Sequence, residues 1–207
     1  MIKNVFITPK LEFNKYKKIE IILDKDWFSY LNSINLRGFT GFFDKISEIN
    51  YLSQYFDGLI VSGGGDVYKN KKTKLNKLRD NFELKLINSF LKNKKTILCI
   101  CRGFQLYSNH LGNNIFKKNK NHVKTQHTIY SVKQNSLFKF KKLNTNSFHN
   151  YSIQKTSNKL ENFFISKDGC IEISKLKSKN LFCFMFHPER KNKDQEKINL
   201  ILRKIFK

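Results

Sequence analysis

Three stretches of the sequence carry residue types that can do chemistry together. The first, ILCICRGFQL, places the thiol of Cys101 where an apolar run stops. The second, FCFMFHPER, ends another apolar run with His187 and, two residues later, Glu189. The third, LIVSGGGD, is the end of an apolar run followed by three glycines. A thiol, an imidazole with a carboxylate, and a loop of backbone amides are the parts of a reaction with a cysteine nucleophile.

Cys101 is predicted to sit at an elbow between a strand and a helix. KTILCI has the pattern of a buried strand, and a helix is expected from Arg102 to about His110. The unpaired amides at the start of a helix favour a thiolate, and the tight turn exposes the sulfur above the sheet. Gly103 lets the helix pack closely. Cys99 lies two residues earlier on the strand, so it is expected to face the same way and to be a small core residue.

The other two stretches supply a base and an oxyanion site. Pro188 stiffens the link between His187 and Glu189, so the carboxylate can hold one imidazole nitrogen while the other faces Cys101. The glycine loop lets backbone N–H groups converge on a developing negative charge. It matches neither the G-x-G-x-x-G pattern nor the GK[ST] of a P-loop, so no nucleotide is expected to bind through it.

The elements that must position these groups alternate along the chain, which predicts an α/β domain built on a parallel sheet. The predicted strands are NVFIT, LRGFTGFF, DGLIV, KTILCI and LFCFMF. Helices are predicted over 19–32, 46–55, 75–91, 102–110 and 195–206. Residues 113–182 are expected to form short strands and turns. The chain shows no linker and no internal repeat, so a single domain over 1–207 is expected.

Composition limits the partners and the compartment. Lys and Arg number 40 against 16 Asp and Glu, a net charge of +24. Only five of the basic residues are arginine, and the lysines are spread among asparagines, so the charge indicates compositional bias more than a nucleic-acid partner. The four cysteines form no regular framework, the N-terminus MIKNVFITPK has no signal-peptide pattern, and no apolar run approaches about 18 residues. A cytoplasmic protein without a membrane span is expected.

Taken together, LIVSGGGDV, ILCICRGFQL and FCFMFHPER, in this order along the chain, resemble the class I glutamine amidotransferase-like superfamily. RDNFELKLI (79–87) and LNTNSFHNYSI (143–153) narrow the resemblance to its γ-glutamyl hydrolase branch. The resemblance covers almost the whole chain and implies a flavodoxin-like three-layer sandwich with a mostly parallel central sheet. It implies no cofactor and no metal. His110, His122 and His127 are scattered among lysines and are expected to be surface or strand residues.

The same resemblance implies the role of each site residue. Cys101 becomes the nucleophile, His187 the base and Glu189 its orienting partner. The residues implied for the oxyanion hole and for binding of the glutamyl group are Gly64 and Arg102, through their backbone amides, and Gly63, Gln105, Ser147, Phe148 and His149. Three features depart from the family pattern: Cys99 stands where a small residue is usual, Asn150 replaces a second His, and the loop YKNKKTKLNKL is short.

The resemblance leaves the leaving group open. The short loop, NSFHN and CRGFQ are most similar to a compact subgroup that acts on γ-glutamyl-CDP-amidate in surface-polysaccharide synthesis. Lys69, Lys71 and Lys72 follow the glycine loop and are the expected contacts of an anionic leaving group. The alternatives are a γ-glutamyl-γ-aminobutyrate hydrolase and a glutaminase subunit that supplies ammonia to a synthetase partner. A non-catalytic protein or nucleic-acid binder is less favoured because the triad residues are intact. A homodimer is compatible with the sequence.

Overall fold

A computed structural model describes residues 2–117 and 122–207 of the chain. Within that part, a nine-stranded sheet has the order β4-β1-β5-β6-β13-β12-β11-β8-β9. Its strands are β1 (Lys3–Ile7), β4 (Leu36–Thr40), β5 (Gly58–Val61), β6 (Thr96–Ile100), β8 (Val123–Ser131), β9 (Lys142–Phe148), β11 (Leu160–Ser166), β12 (Ile171–Leu176) and β13 (Leu181–Phe184). The first five strands in this order, from β4 to β13, run parallel to one another. From β13 to β9, each neighbouring pair is antiparallel. Two small antiparallel pairs, β2 (Lys10–Phe13) with β3 (Ile19–Ile22) and β7 (Phe116–Lys117) with β10 (Tyr151–Ser152), complete the strands.

Helices cover both faces of the sheet and give the predicted three layers. On one face lie α1 (Asp26–Ser33) and α5 (Gln195–Ile205), and on the other lie α2 (Ile46–Tyr55), α3 (Lys74–Lys92) and α4 (Arg102–His110). Each face has its own apolar cluster because the parallel strands are buried on both sides. The mostly parallel, flavodoxin-like sandwich is therefore confirmed. Among the described residues, no helix combines the length and the apolar content that crossing a membrane requires.

The structure corrects one predicted helix. The residues from Ile19 to Asn32 were expected to be helical throughout, but Ile19–Ile22 is strand β3 and the helix begins only at Asp26. The hydrophobic spacing was misleading because Ile19 and Ile21 alternate with Glu20 and pair across a hairpin with β2. The hairpin places its first residue, Lys10, beside the glycine loop. The other predicted strands and helices occur within a few residues of their expected bounds, and 113–182 contains the expected short strands.

Candidate active site

The backbone at Cys101 is strained, and this conformation sets the direction of the Cys101 sulfur. The backbone of Cys101 has φ 49° and ψ −101°, in a region that a residue with a side chain rarely adopts. Cys99 packs with α3 and α4 on one face of the sheet, whereas Cys101 packs in the cluster on the opposite face. The expectation that the two thiols face the same way is therefore wrong, because the strand ends at Ile100 and the elbow reverses the alternation.

Two close approaches around the elbow require glycine. A Cβ on Gly103 would lie 2.4 Å from the carbonyl oxygen of Val61, so helix α4 could not approach the end of β5. A Cβ on Gly63 would lie 2.5 Å from Cε1 of His187. These two glycines let the Cys101 side chain and the His187 imidazole meet at the carboxyl ends of β5, β6 and β13, where ligands bind in open parallel sheets.

We expect Gly103→Ala to lower both the stability and the activity of the protein. The added methyl group meets rigid backbone, so the free energy of unfolding should fall by about 1–3 kcal/mol and activity should fall with it as Cys101 is displaced. Gly112→Ala is the matched control, because a Cβ there has nothing within 4 Å. Its positive φ costs only about 1 kcal/mol, and activity should persist. Thermal unfolding and turnover measure both variants, and equal effects on the two would contradict the close-packing argument.

His187 is held between the thiol and the carboxylate. Its Nδ1 lies 2.6 Å from Oε1 of Glu189, and the Nε2 side of its ring lies next to Cys101 at Gly63. Burial by itself would lower the pKa of His187, but the Glu189 carboxylate and the contact with Cys101 outweigh it and raise this pKa to about 10. An imidazolium is thereby favoured at neutral pH, where it can stabilise a thiolate and later give a proton to a leaving nitrogen.

Asn146 fixes the backbone of His187, a role that the sequence did not reveal. Its Oδ1 accepts a hydrogen bond from the His187 N–H at 2.9 Å, and its Nδ2 donates to the His187 carbonyl at 2.7 Å. Asn192 Nδ2 donates to the same carbonyl at 3.1 Å. Strand β9 thus anchors the imidazole from the antiparallel half of the sheet, and the stretch LNTNSFHNYSI contained this signal in its Asn146.

Arg79 orients the glycine loop. Its guanidinium donates to the carbonyls of Ser62, Gly63 and Gly64 at 2.7–3.1 Å. In a planar trans peptide the N–H points away from the carbonyl of the preceding residue. The carbonyl of Gly63 faces Arg79, so the N–H of Gly64 points away from Arg79, as its predicted role requires. Gly64 itself has φ +83°.

A buried charge network connects this loop to the helix that follows Cys101. Glu83 is fully buried, receives a hydrogen bond from Arg79 Nε at 2.8 Å, and pairs with Arg102, which also pairs with Asp80. Burial would raise the pKa of Glu83, but the two guanidinium groups outweigh it and lower this pKa. The Arg102 side chain is therefore fully engaged in buried ion pairs. Its predicted role in an oxyanion hole concerns only its backbone amide. The stretch RDNFELKLI contains Arg79, Asp80 and Glu83, but the sequence alone did not indicate that Glu83 is the centre of this network.

The predicted binding residues separate into two groups. A cavity of about 360 Å³ beside His187 is lined by Gly63, Gly64, His187 and Glu189, together with residues that the sequence did not single out: Lys10, Ile22, Leu23, Asp24, Trp27, Ser62 and Arg190. Phe148 meets the His187 ring edge-on at 5.9 Å between centroids.

The side chains of Gln105, Ser147 and His149 are buried behind this cavity. Gln105 Nε2 donates to the carbonyl of Tyr151 at 3.2 Å, and Ser147 Oγ donates to the carbonyl of His122 at 2.9 Å. His149 Nδ1 lies 2.9 Å from the Tyr151 carbonyl oxygen. These three side chains are engaged with the chain itself, and the His149 N–H donates to the carbonyl of His122 at 3.0 Å. In the segment 147–149, the Phe148 ring is therefore the side chain that can contact a ligand.

Comparisons with known proteins concern the family and the fold of the chain. The Peptidase C26 family matches residues 41–189. The γ-glutamyl-CDP-amidate hydrolase of Campylobacter jejuni is 31% identical over 188 residues, which is 90% of each chain. The carbamoyl phosphate synthase small chain of Buchnera aphidicola is 32% identical over 112 residues, 52% of this chain and 27% of that one. A glutamine amidotransferase structure from Thermotoga maritima, 16% identical, superposes with a TM-score of 0.66 over 91% of this chain and 77% of that one.

The family match spans the glycine loop, the elbow and the His-x-Glu segment, and the structural likeness extends to the sheet that brings them together. The chain belongs to the Peptidase C26 family, and with it to the amide-bond hydrolases that have the class I glutamine amidotransferase-like fold.

Proposed function

We propose that the protein is a cysteine-dependent hydrolase that releases glutamate from a γ-glutamyl amide or phosphoramidate. The observation that carries this proposal is the placement of His187 between the Cys101 thiol and the Glu189 carboxylate, next to the oriented amide of Gly64. In this mechanism the Cys101 thiolate attacks the γ-carbonyl carbon, and the amides of Gly64 and Arg102 hold the oxyanion. His187 protonates the leaving nitrogen, and water then hydrolyses the thioester and frees glutamate and the thiol.

The most specific substrate that we propose is γ-glutamyl-CDP-amidate, with the reaction in the cytoplasm as a step of surface-polysaccharide synthesis. Likeness to the Campylobacter jejuni hydrolase over 90% of both chains supports it. The cavity beside His187 is also lined by Lys10, which a diphosphate could contact in place of the present ion pair with Glu12. Arg190 and the ring of Trp27 line the same cavity, but Arg190 already lies within 4.0 Å of the carboxylates of Asp24 and Glu189. Lys71, one of the three lysines expected near a leaving group, instead lines a neighbouring cavity together with Gly65.

Release of glutamate from a panel of γ-glutamyl compounds tests the proposal. The purified protein should hydrolyse γ-glutamyl-CDP-amidate with a kcat/KM far above that for glutamine or γ-glutamyl-γ-aminobutyrate. Preference for γ-glutamyl-γ-aminobutyrate would transfer the assignment to that hydrolase. Turnover of glutamine only in the presence of a synthetase would favour the second candidate, a glutaminase subunit, which the likeness to a carbamoyl phosphate synthase small chain supports.

Lys10→Gln should distinguish a charged leaving group from a neutral one. Lys10 is about 39% exposed in its side chain, so the loss of its charge should raise KM for the diphosphate substrate only about 5-fold, or about 1 kcal/mol, at low salt. KM for glutamine should stay nearly constant, and added salt should reduce the difference between wild type and variant.

Lys85→Gln is the matched control for the loss of charge, since Lys85 is exposed on α3 and does not line the cavity beside His187. It should leave both KM values near those of the wild type. An equal rise of KM for glutamine and for the diphosphate substrate in Lys10→Gln would exclude recognition of an anionic leaving group by this lysine.

A further inference from the structure

A buried carboxylate outside the proposed active site faces two imidazoles without hydrogen-bonding to either. Glu172 on β12 is fully buried, and neither of its oxygens has a hydrogen-bond partner among the described residues. Its Oε1 lies 3.6 Å from Nε2 of His127 and 3.6 Å from Nε2 of His149, and both nitrogens also have no such partner in the described part of the chain. A buried carboxylate is strongly disfavoured unless a cation compensates it, and the two imidazoles at 3.6 Å already lower the pKa of Glu172. The compensating cation is therefore either a proton on one of these imidazoles or a metal ion.

The hydrogen bonding of His149 shows what kind of cation is needed. A carbonyl oxygen can only accept, so the contact with Tyr151 at 2.9 Å places the ring proton of neutral His149 on Nδ1. The lone pair of Nε2 then points toward the carboxylate. A shared proton would draw the two atoms to about 2.7–2.9 Å. In a tetrahedral zinc site with bonds of about 2.0–2.2 Å, neighbouring donor atoms lie roughly 3.4 Å apart, which is close to the observed 3.6 Å.

Cys170 supplies a third donor on the same side. It lies two residues before Glu172, and the donor atoms of His149, Cys170 and Glu172 are all within 4.8 Å of one another. All three side chains are buried. The other nearby triplet, His122 with His127 and Glu172, is less suitable because both ring nitrogens of His122 are engaged, Nε2 with Asp168 at 2.9 Å and Nδ1 with Ser147 Oγ at 3.3 Å.

We propose that His149, Cys170 and Glu172 form a binding site for a zinc ion. Thiolate, imidazole and carboxylate are all zinc ligands, and the carbonyl of Tyr151 orients His149 as outer partners do in known sites. Binding forms three ligand bonds and releases the thiol proton of Cys170 to solvent. No spacing in the sequence predicts this cluster, because the donors come from two segments of the chain, after β9 and at the start of β12, that meet only in the folded protein.

Such an ion would hold the connection between β9 and β10 in place behind the cavity beside His187. The Tyr151 carbonyl accepts from Gln105 Nε2 at 3.2 Å as well as facing His149 Nδ1. The zinc site is therefore connected through one carbonyl to a residue on the helix that follows Cys101. Its role would be to position this segment, and its ligands do not touch the reacting atoms.

Zinc and cobalt titrations of the full-length chain test the proposal. The Cys101→Ala background is used, so that the candidate nucleophile cannot bind the metal. After treatment with a chelator, the protein should take up one zinc per chain, and its melting temperature should rise. Cobalt should give a thiolate-to-metal charge-transfer band. Cys170→Ser should abolish this band, and Cys170→Ser and His149→Gln should each weaken zinc binding at least 10-fold.

Matched variants keep the assignment falsifiable. Cys99→Ser removes another buried thiol and His127→Gln removes the second imidazole that faces Glu172, and both should retain the cobalt band. Failure of the Cys101→Ala protein to bind zinc would overturn the proposal. Loss of the band in His127→Gln but not in Cys170→Ser would also overturn it, since the ion would then lie on the other triplet. Circular dichroism checks that each variant is folded, and His149→Gln replaces Cys170→Ser in the zinc comparison if the latter is not.

Discussion

Cys101→Ser should abolish release of glutamate while the protein stays folded. The substitution keeps the size and position of the side chain at the elbow but replaces the thiol by a much less acidic hydroxyl, and the imidazolium form of His187 that is favoured at neutral pH cannot accept its proton. Removal of a nucleophile of this kind is expected to cost of the order of 10³-fold or more in kcat. Turnover of the preferred γ-glutamyl compound, together with thermal unfolding, measures both effects.

Cys99→Ala is the matched control for Cys101→Ser. Cys99 is fully buried on the opposite face of the sheet, where burial and its neighbour Cys183 keep the pKa of its thiol high. Its loss should lower stability through a small cavity and leave kcat nearly intact. An inactive Cys99 variant beside an active Cys101 variant would show that the elbow does not carry the nucleophile.

His187→Ala should reduce kcat almost as much as Cys101→Ser, because the members of a triad act as a unit. Glu189→Gln should cost less, since the amide can keep a hydrogen bond to Nδ1 but no longer provides a charge beside the imidazolium. Alkylation of Cys101 by iodoacetamide should also slow in His187→Ala, where the thiolate loses its ion-pair partner. An unchanged alkylation rate would assign the activation of the thiol to the start of helix α4 alone.

His110→Ala serves as the control, since His110 is exposed at the end of α4. It should change neither turnover nor alkylation.

The raised pKa of His187 also fixes the direction in which stability changes with pH. The pairing with Glu189 contributes stability that is fully present below the ordinary pKa of about 6.5 and is lost as the pH rises toward 10. His187→Ala should therefore reduce the loss of stability between neutral pH and pH 10.

The order of most elements and the position of Cys101 between a strand and a helix could be predicted from the sequence because both depend on local patterns. Buried apolar runs that end in Gly-Gly-Gly, Cys-Arg-Gly and His-Pro-Glu are visible in single segments, and parallel strands bring their carboxyl ends to one edge. The hairpin at Ile19–Ile22 could not be predicted in this way, because a short apolar run fits a helix or a strand until its pairing partner is known.

Four features of the protein were decided only by the tertiary structure. The sulfur of Cys101 points to the face opposite Cys99 because of a backbone angle that no residue spacing encodes. Glu83 is placed between two arginines, and Lys10 lines the cavity beside His187, because helix α3 and the β2–β3 hairpin pack at the ends of the parallel strands. The donors of the proposed zinc site come together because the chain after β9 crosses back to the start of β12, where the N–H of Ile171 donates to the carbonyl of Ile153 at 2.8 Å. Motifs within one segment are a property of the sequence, whereas side chains that are far apart in the chain become neighbours only when the sheet is assembled.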